Sequence, residues 1–219
     1  MPLFVIATPI GNPKDITLHA VEALKAADLV IGEELKVLRQ ILKNAGVQAP
    51  KMEQLNEHST ADDIDFFVGE CREKNVALVS DCGTPGFCDP GALLVKACRD
   101  QNIRVIAAPG PSSLMALLSV SGERVDEFLF RGFLPAKNEE RASALRTLAS
   151  EKRAVILMDT PYRLQKLMAD IAATFPRRNC VVGINLTQEI ELVVRGKGSE
   201  LPQLVNLEDG EPIVLILPG

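Results

Sequence analysis

The chain has 219 residues, 47% of them hydrophobic and 24% charged, with a formal net charge of −5. This profile excludes a disordered or fibrous chain, and the length suits one large domain or two small ones. The acidic balance argues against a protein that coats nucleic acid over its whole surface.

The run Leu3 to Thr8 predicts a first strand. It is short, has no basic start and meets a Pro/Gly loop at once, so it is not read as a signal peptide. No later segment approaches the roughly 18 apolar residues that span a bilayer, and a cytoplasmic protein is expected. Leu18, Val21 and Leu24 then fall at helical spacing, Leu29 to Ile31 reads as a strand, and Leu35, Leu38, Ile41 and Leu42 mark a second helix. A helix around Ile64 to Lys74, a strand Val76 to Ser80, a helix around Leu93 to Arg99, a strand Arg104 to Ala107 and a small-residue helix Ser113 to Ser121 follow.

The pattern restarts after Gly122, which sets the expected boundary between an N-terminal domain, 1–121, and a C-terminal domain, 122–219. The second part reads as a strand Phe128 to Phe133, a helix Glu139 to Leu148, a strand Ala154 to Met158 and a helix Arg163 to Ala173. Strands near Cys180 to Leu186, Glu191 to Arg195 and Ile213 to Leu217 complete it. The fold class is therefore α/β, with a parallel first sheet. The closely spaced last strands imply a mixed second sheet.

Three strand ends carry unusual loops: Thr8-Pro9-Ile10-Gly11-Asn12-Pro13, Asp81 to Gly91, and Ala108-Pro109-Gly110-Pro111-Ser112-Ser113. Open α/β sheets bind ligands beyond the carboxyl ends of their strands. Loops built from glycine and proline are stiff and bring main-chain amides and carbonyls close to a ligand. Three of them at one sheet edge point to a site for a small polar ligand. No G-x-G-x-x-G follows the first strand, no phosphate-binding P-loop is present, and His19 and His58 have no nucleophile partner.

Five cysteines, an odd number without a C-x-x-C pair, read as reduced thiols. Cys82 and Cys88 flank the second loop, but no histidine stands near them and no metal site is expected. Ten Lys/Arg against five Asp/Glu lie between Arg131 and Arg178. This basic stretch has two readings, solvated helix faces or a surface that meets RNA. In the second, Lys137, Arg141, Arg163 and Arg178 are the first candidates for phosphate contacts.

The loops resemble those of the tetrapyrrole methylase superfamily, and within it the branch of small-subunit rRNA ribose 2′-O-methyltransferases. The matching words are Ala7-Thr8-Pro9-Ile10-Gly11-Asn12 with Asp15-Ile16-Thr17-Leu18, then Val79 to Gly86 with Asp89-Pro90-Gly91, then Pro109 to Ser113, and Gly132-Phe133-Leu134-Pro135-Ala136-Lys137. The resemblance implies a transferase with two α/β domains, S-adenosylmethionine held in a cleft between them, and a homodimer. Carried over position by position, it implies cofactor contacts from Pro9, Asp81, Gly83, Thr84, Pro85, Pro109, Ser112, Ser113, Leu134, Met158 and Leu186. Asp81 has a second reading as a residue that caps its own turn.

The departures fall on the substrate side. Gly32-Glu33-Glu34-Leu35-Lys36 stands where the rRNA enzymes resemble Ala-Glu-Asp-Thr-Arg, and Asn56-Glu57-His58-Ser59 where they resemble His-Glu-His-Asn. Met158-Asp159-Thr160-Pro161-Tyr162-Arg163 replaces Tyr-Glu-Ser-Pro-His-Arg, and Gly183 to Gln188 replaces Ala-Arg-Glu-Leu-Thr-Lys. The sequence also stops at Gly219, where those enzymes continue into an extension. A hydroxyl acceptor gains from a general base. Glu33 and His58 are the first candidates, followed by Glu34, Glu57 and Asp159. Three readings follow: an rRNA ribose methyltransferase, a methylase of a tetrapyrrole or other small acceptor, and a cofactor-binding paralogue without catalysis.

Overall fold

A computed structural model describes residues 1–48, 50–86 and 91–219. Within it the chain divides into two compact units, Met1–Ser112 and Ser113–Gly219. The division falls ahead of the Gly122 expected from sequence, because the helix Ser113–Val120 packs with the last strand of the chain.

The first unit contains strands β1 (Leu3–Ile6), β2 (Leu29–Gly32), β3 (Lys51–Gln54), β4 (Val76–Val79) and β5 (Val105–Ala108). They form an all-parallel sheet in the order β3-β2-β4-β1-β5. Helices α1 (Leu18–Ala26), α2 (Leu35–Asn44), α3 (Ala61–Glu73) and α4 (Gly91–Asp100) connect them. Side chains alternate across each strand, so Phe4, Ile6, Val30, Ala77 and Val79 meet Leu24 of α1 and Leu38 of α2 on one face. Leu3, Leu29, Ile31, Val76 and Leu78 meet Phe67 of α3 and Leu94 of α4 on the other. The central strands β2 and β4 are buried from end to end, as parallel strands covered on both faces must be. Thr17 and Thr60 cap α1 and α3, and Thr60 forms a reciprocal capping box with Asp63.

The second unit begins with α5 (Ser113–Val120) and carries β6 (Phe128–Phe133), α6 (Asn138–Ala149), β7 (Ala154–Met158) and α7 (Leu164–Thr174). β8 (Asn179–Ile184), β9 (Leu192–Lys197), the single turn α8 (Leu201–Leu204) and β10 (Pro212–Ile216) follow. The sheet order is β6-β7-β10-β8-β9. β6 and β7 are parallel, and β10 is antiparallel to both β7 and β8, so β6, β7 and β8 run in one direction. The sheet is mixed, as its closely spaced last strands imply.

β3 is the one strand with no counterpart in the expected elements. Its Lys-Met-Glu-Gln sequence is polar and only half-buried, and edge position on β2 rather than an apolar pattern defines it. Among the described residues no helix is long and apolar enough to cross a membrane.

Candidate functional site

Because the first sheet is wholly parallel, the chain leaves all five strands at the same edge. The segments after β3, β2, β4, β1 and β5 lie side by side there in that order. β4 continues into α4 on one face, while its neighbours β2 and β1 lead to α2 and α1 on the other. The crevice at such a reversal is where open α/β sheets bind ligands.

Hydrogen bonds stitch three of these segments together. Thr8, fully buried after β1, donates its backbone N–H to the Gly83 carbonyl at 2.8 Å and its hydroxyl to the Ser80 carbonyl at 3.0 Å. Ser80 Oγ donates to the Gly83 carbonyl at 3.1 Å, and Thr84 Oγ1 reaches the Pro111 carbonyl at 3.1 Å, joining the β4 and β5 loops. Gly83 has φ +84°, a conformation that costs an L residue roughly 1–2 kcal/mol. A Cβ at Gly110 would lie 3.1 Å from the Ala7 Cβ, so glycine allows the β5 loop to close on β1. Thr8 and Ser80 were not singled out from sequence, although hydroxyl residues flanking glycine loops at strand ends were the available signal.

Asp81 leaves β4 toward the β2 segment and accepts one hydrogen bond, from the Glu34 backbone N–H to Oδ1 at 3.2 Å. Its side chain therefore bridges two strand ends 47 residues apart instead of capping its own turn. Burial raises the Asp81 carboxyl above its ordinary pKa, against the Glu34 N–H, which lowers it; the nearby Glu34 carboxylate adds a smaller upward push. The other oxygen, Oδ2, has no partner among the described residues and is open to a donor.

The remaining sequence-predicted residues follow the strand ends but are not brought into one pocket, and Ser113 belongs to the second unit. Pro9 lines a shallow pocket with Val37 and Ile41 of α2. Pro85 borders a groove beside Val95 and Lys96 of α4. Pro109 and Ser112 follow β5, and Ser113 opens α5. Glu33 follows β2, and its carbonyl accepts from Gln54 Nε2 at 2.7 Å. His58 follows β3 at the far edge of the sheet, with a side chain 84% exposed and 3.8 Å from the equally exposed Glu57. Cys88 and the segment 87–90 lie outside the described residues, while Cys82 is exposed and Cys71, Cys98 and Cys180 are buried free thiols. Burial pushes Cys180 up to about 12.

In the second unit, Leu134, Met158 and Leu186 end or follow β6, β7 and β8, which places all three at one edge of that sheet. Leu186 folds back over Gly183, where a Cβ would meet Leu186 Cδ2 at 2.9 Å. The turn after β8 is strained: Asn185 has φ +52° and Thr187, a β-branched residue, φ +66°. Neither was picked out from sequence, and only the tolerance of asparagine for this conformation hinted at it.

Asp159, at the end of β7, is engaged structurally and does not fit a general base. It is fully buried, pairs with Arg141 Nη2 at 2.7 Å, and accepts from the Thr160 N–H at 2.9 Å. Arg141 is itself only 2% exposed and donates from Nε to Asp170 at 2.6 Å. Burial works against the Arg141 charge, and the Asp170 and Asp159 carboxylates more than offset it. Arg178 turns inward as well, donating to the main-chain carbonyls of Leu217, Glu151 at 3.1 Å and Arg153 at 2.8 Å. Arg141 and Arg178 are thus corrected from phosphate candidates to internal ties, because folded burial, which sequence does not display, decides the role of each cation. Lys137 and Arg163 stay at the surface, Arg163 in part.

Two α/β units of this topology, with glycine loops at the carboxyl edge of the parallel sheet, define a fold seen in solved structures. The chain superposes on a diphthine synthase with TM-score 0.78 at 14% identity, covering 99% of this chain and 89% of that one. A cobalt precorrin-4 methyltransferase of cobalamin biosynthesis gives 0.70 at 17% identity, covering 99% and 94%. Residues 2–202 match the family described as Tetrapyrrole (Corrin/Porphyrin) Methylases. The ribosomal RNA small subunit methyltransferase I of Neisseria meningitidis serogroup B is 35% identical over 99% of this chain and 76% of its own length. The protein of that name from Xylella fastidiosa is 38% identical over 98% and 80%. The chain belongs to the tetrapyrrole methylase family and is a methyltransferase.

Proposed function

We propose that the protein transfers a methyl group from S-adenosylmethionine to ribosomal RNA, at a ribose 2′-hydroxyl. The observation that carries the reading is the carboxyl edge of the parallel sheet, where the Thr8, Gly83 and Pro111 segments are tied together and Asp81, on the β2 side of the same β4 loop, keeps an open oxygen. This donor set fits the cofactor: an Asp81 carboxylate accepts from an ammonium or ribose hydroxyl, and Gly83 and Gly110 let the loops pack closely enough to hold their main-chain groups in fixed directions. Pro9, Thr84, Pro85, Pro109, Ser112 and Ser113 add shape and main-chain groups, and Leu134, Met158 and Leu186 are the contacts assigned in the second unit. The bound cofactor supplies a methyl on a sulfonium, a group transferred by direct displacement. The chain's own part is to align the acceptor and exclude water. Glu33, half-buried beside the crevice, is the better-placed candidate to take the hydroxyl proton, and His58 the alternative.

RNA is supported as acceptor by the two relatives named above, each similar over nearly the whole chain. A small acceptor is the second reading, favoured by the inward engagement of Arg141 and Arg178, which leaves the basic stretch with fewer surface cations. We also propose a cytoplasmic homodimer. Leu18, Met115 and Val120 are exposed apolar side chains available for contact, while Leu114 and Leu117 of α5 belong to the core. Sedimentation reads the mass directly.

The test supplies labelled S-adenosylmethionine with small ribosomal subunits, bulk RNA and tetrapyrrole precursors in parallel. Label in small-subunit RNA supports the reading, and label only in a small acceptor replaces it. S-adenosylhomocysteine should bind with an affinity in the micromolar range, about −8 kcal/mol. Absence of heat at millimolar ligand would overturn cofactor use.

A further inference from the structure

Tyr162 is the single tyrosine of a chain that has no tryptophan. It stands just past the carboxyl end of β7 with its side chain 72% exposed, an unusual place for the largest aromatic ring available. One face of the ring is covered by the Arg163 guanidinium, whose Cζ lies 5.3 Å from the ring centroid. The exposure leaves the rest of the ring to solvent. Phe133, 41% exposed, ends the neighbouring parallel strand β6 in register with Met158 of β7.

Cations frame these rings. Arg131 Nη1 donates to the Phe133 carbonyl at 3.1 Å, which holds it on the β6 end. Lys137 precedes α6 with its side chain 80% exposed. Lys166 Nζ donates to Asn138 Oδ1 at 2.7 Å, so the segment after β7 and the segment after β6 are drawn into one surface. The acids of the region are Asp159, buried on Arg141 and 3.8 Å from Arg163, the half-buried Asp170, paired with Arg141, and Glu139 and Glu140 on the first turn of α6, of which Glu140 pairs with Lys137 at 3.3 Å. Arg131, Lys137, Arg163 and Lys166 therefore outnumber the exposed acids.

We infer that this surface is a stacking platform for single-stranded RNA, in which a base lies on the free face of Tyr162, Phe133 extends the aromatic surface, and Arg131, Lys137, Arg163 and Lys166 meet the phosphates. Exposed aromatic rings set among cations are what single strands recognise, because every base offers a π-face and every linkage a negative charge. A protein partner with acidic segments would use the cations and have no need of the free ring. The inference rests on RNA being the acceptor, and names the part of the chain that holds it.

The composition supplies the probe, since tyrosine emission from the unmodified protein comes from Tyr162 alone. The full chain is titrated with a mixed-sequence 15-nucleotide RNA, its duplex form and inorganic polyphosphate, with correction for absorption, while binding is measured separately on filters. Stacking predicts that the single strand quenches the emission, that polyphosphate binds without quenching, and that the duplex quenches less. Tyr162→Ala should weaken single-strand binding about tenfold and raise KM for RNA with little change in kcat, and Tyr162→Phe should restore both. Its thermal unfolding should match the parent, because the ring is exposed. RNA binding with unchanged emission, or equal binding by Tyr162→Ala, overturns the platform and leaves the RNA reading standing. Equal quenching by polyphosphate overturns it in favour of charge alone. A parent protein that binds no RNA at low salt overturns both.

Discussion

Asp81 shows how one side chain links stability to binding. A folded-state pKa above the ordinary 3.8 means the folded chain holds the proton more tightly than the unfolded chain. The associated stability is complete below that value and is lost as pH rises through the folded one. Asp81→Asn keeps an acceptor for the Glu34 N–H and removes the charge. We expect its melting temperature at pH 7 to rise by about 1–3 °C and the difference to vanish near pH 3, with S-adenosylhomocysteine affinity falling roughly tenfold. Calorimetry across pH reads both, and a variant that binds normally would remove Asp81 from the site. Arg141 makes the opposite case. Arg141→Met leaves the buried Asp159 with only the longer Arg163 pair at 3.8 Å and the Thr160 N–H, and should lower unfolding free energy by about 3 kcal/mol in urea titration.

Close approaches between elements of the second unit depend on glycine. A Cβ at Gly198 would sit 2.3 Å from the Phe175 carbonyl oxygen at the end of α7, and the Gly198 N–H donates to the Arg178 carbonyl at 2.9 Å. Backbone on both sides cannot yield, so Gly198→Ala should cost roughly 1–3 kcal/mol. A Cβ at Gly196 meets the tip of the Leu204 side chain instead, at 2.4 Å. A leucine tip rotates away, so Gly196→Ala should cost less than Gly198→Ala. Urea midpoints at unchanged slope would read the order, and the reverse order would show that the α7 contact is softer than its geometry implies. Arg178 reinforces the same corner by tying the carbonyls of Glu151, Arg153 and Leu217.

At the scale of the whole molecule, a net charge of −5 sets the background against which RNA must be held. Local cations must overcome it, and removing one cation that neutralises a phosphate lowers the salt slope of binding by about one unit. Lys137→Glu and Arg163→Glu should each reduce that slope and weaken all RNA sequences alike, leaving cofactor binding intact. Arg178→Glu should instead lower stability, because its guanidinium serves main-chain carbonyls. Filter binding across salt concentrations, paired with melting curves, separates the two kinds of arginine; an undiminished slope in both surface variants would place the RNA elsewhere on the chain.

The alternation of strands and helices, the mixed character of the second sheet and the three glycine loops were legible in the order of residues. Each of these is written locally, as a period of two or 3.6 residues or as Gly/Pro runs at strand ends. β3 escaped because Lys51-Met52-Glu53-Gln54 has no apolar period; only pairing with β2 makes it a strand. Gly122 attracted the boundary because a glycine breaks the pattern there, whereas α5 joins the second unit through packing on β10. The insertion of β10 between β7 and β8, which sends β6, β7 and β8 in one direction, depends on non-local pairing. Within the site, Asp81 was legible as a polar residue in a strand-end loop, but its bond to Glu34 was not, since the β2 end lies beside it only after the sheet forms. The sign of a charge is local information. Whether Arg141 and Arg178 face water or carboxylates and carbonyls is decided by the packing of α6, α7 and the sheet, and that belongs to the tertiary structure alone.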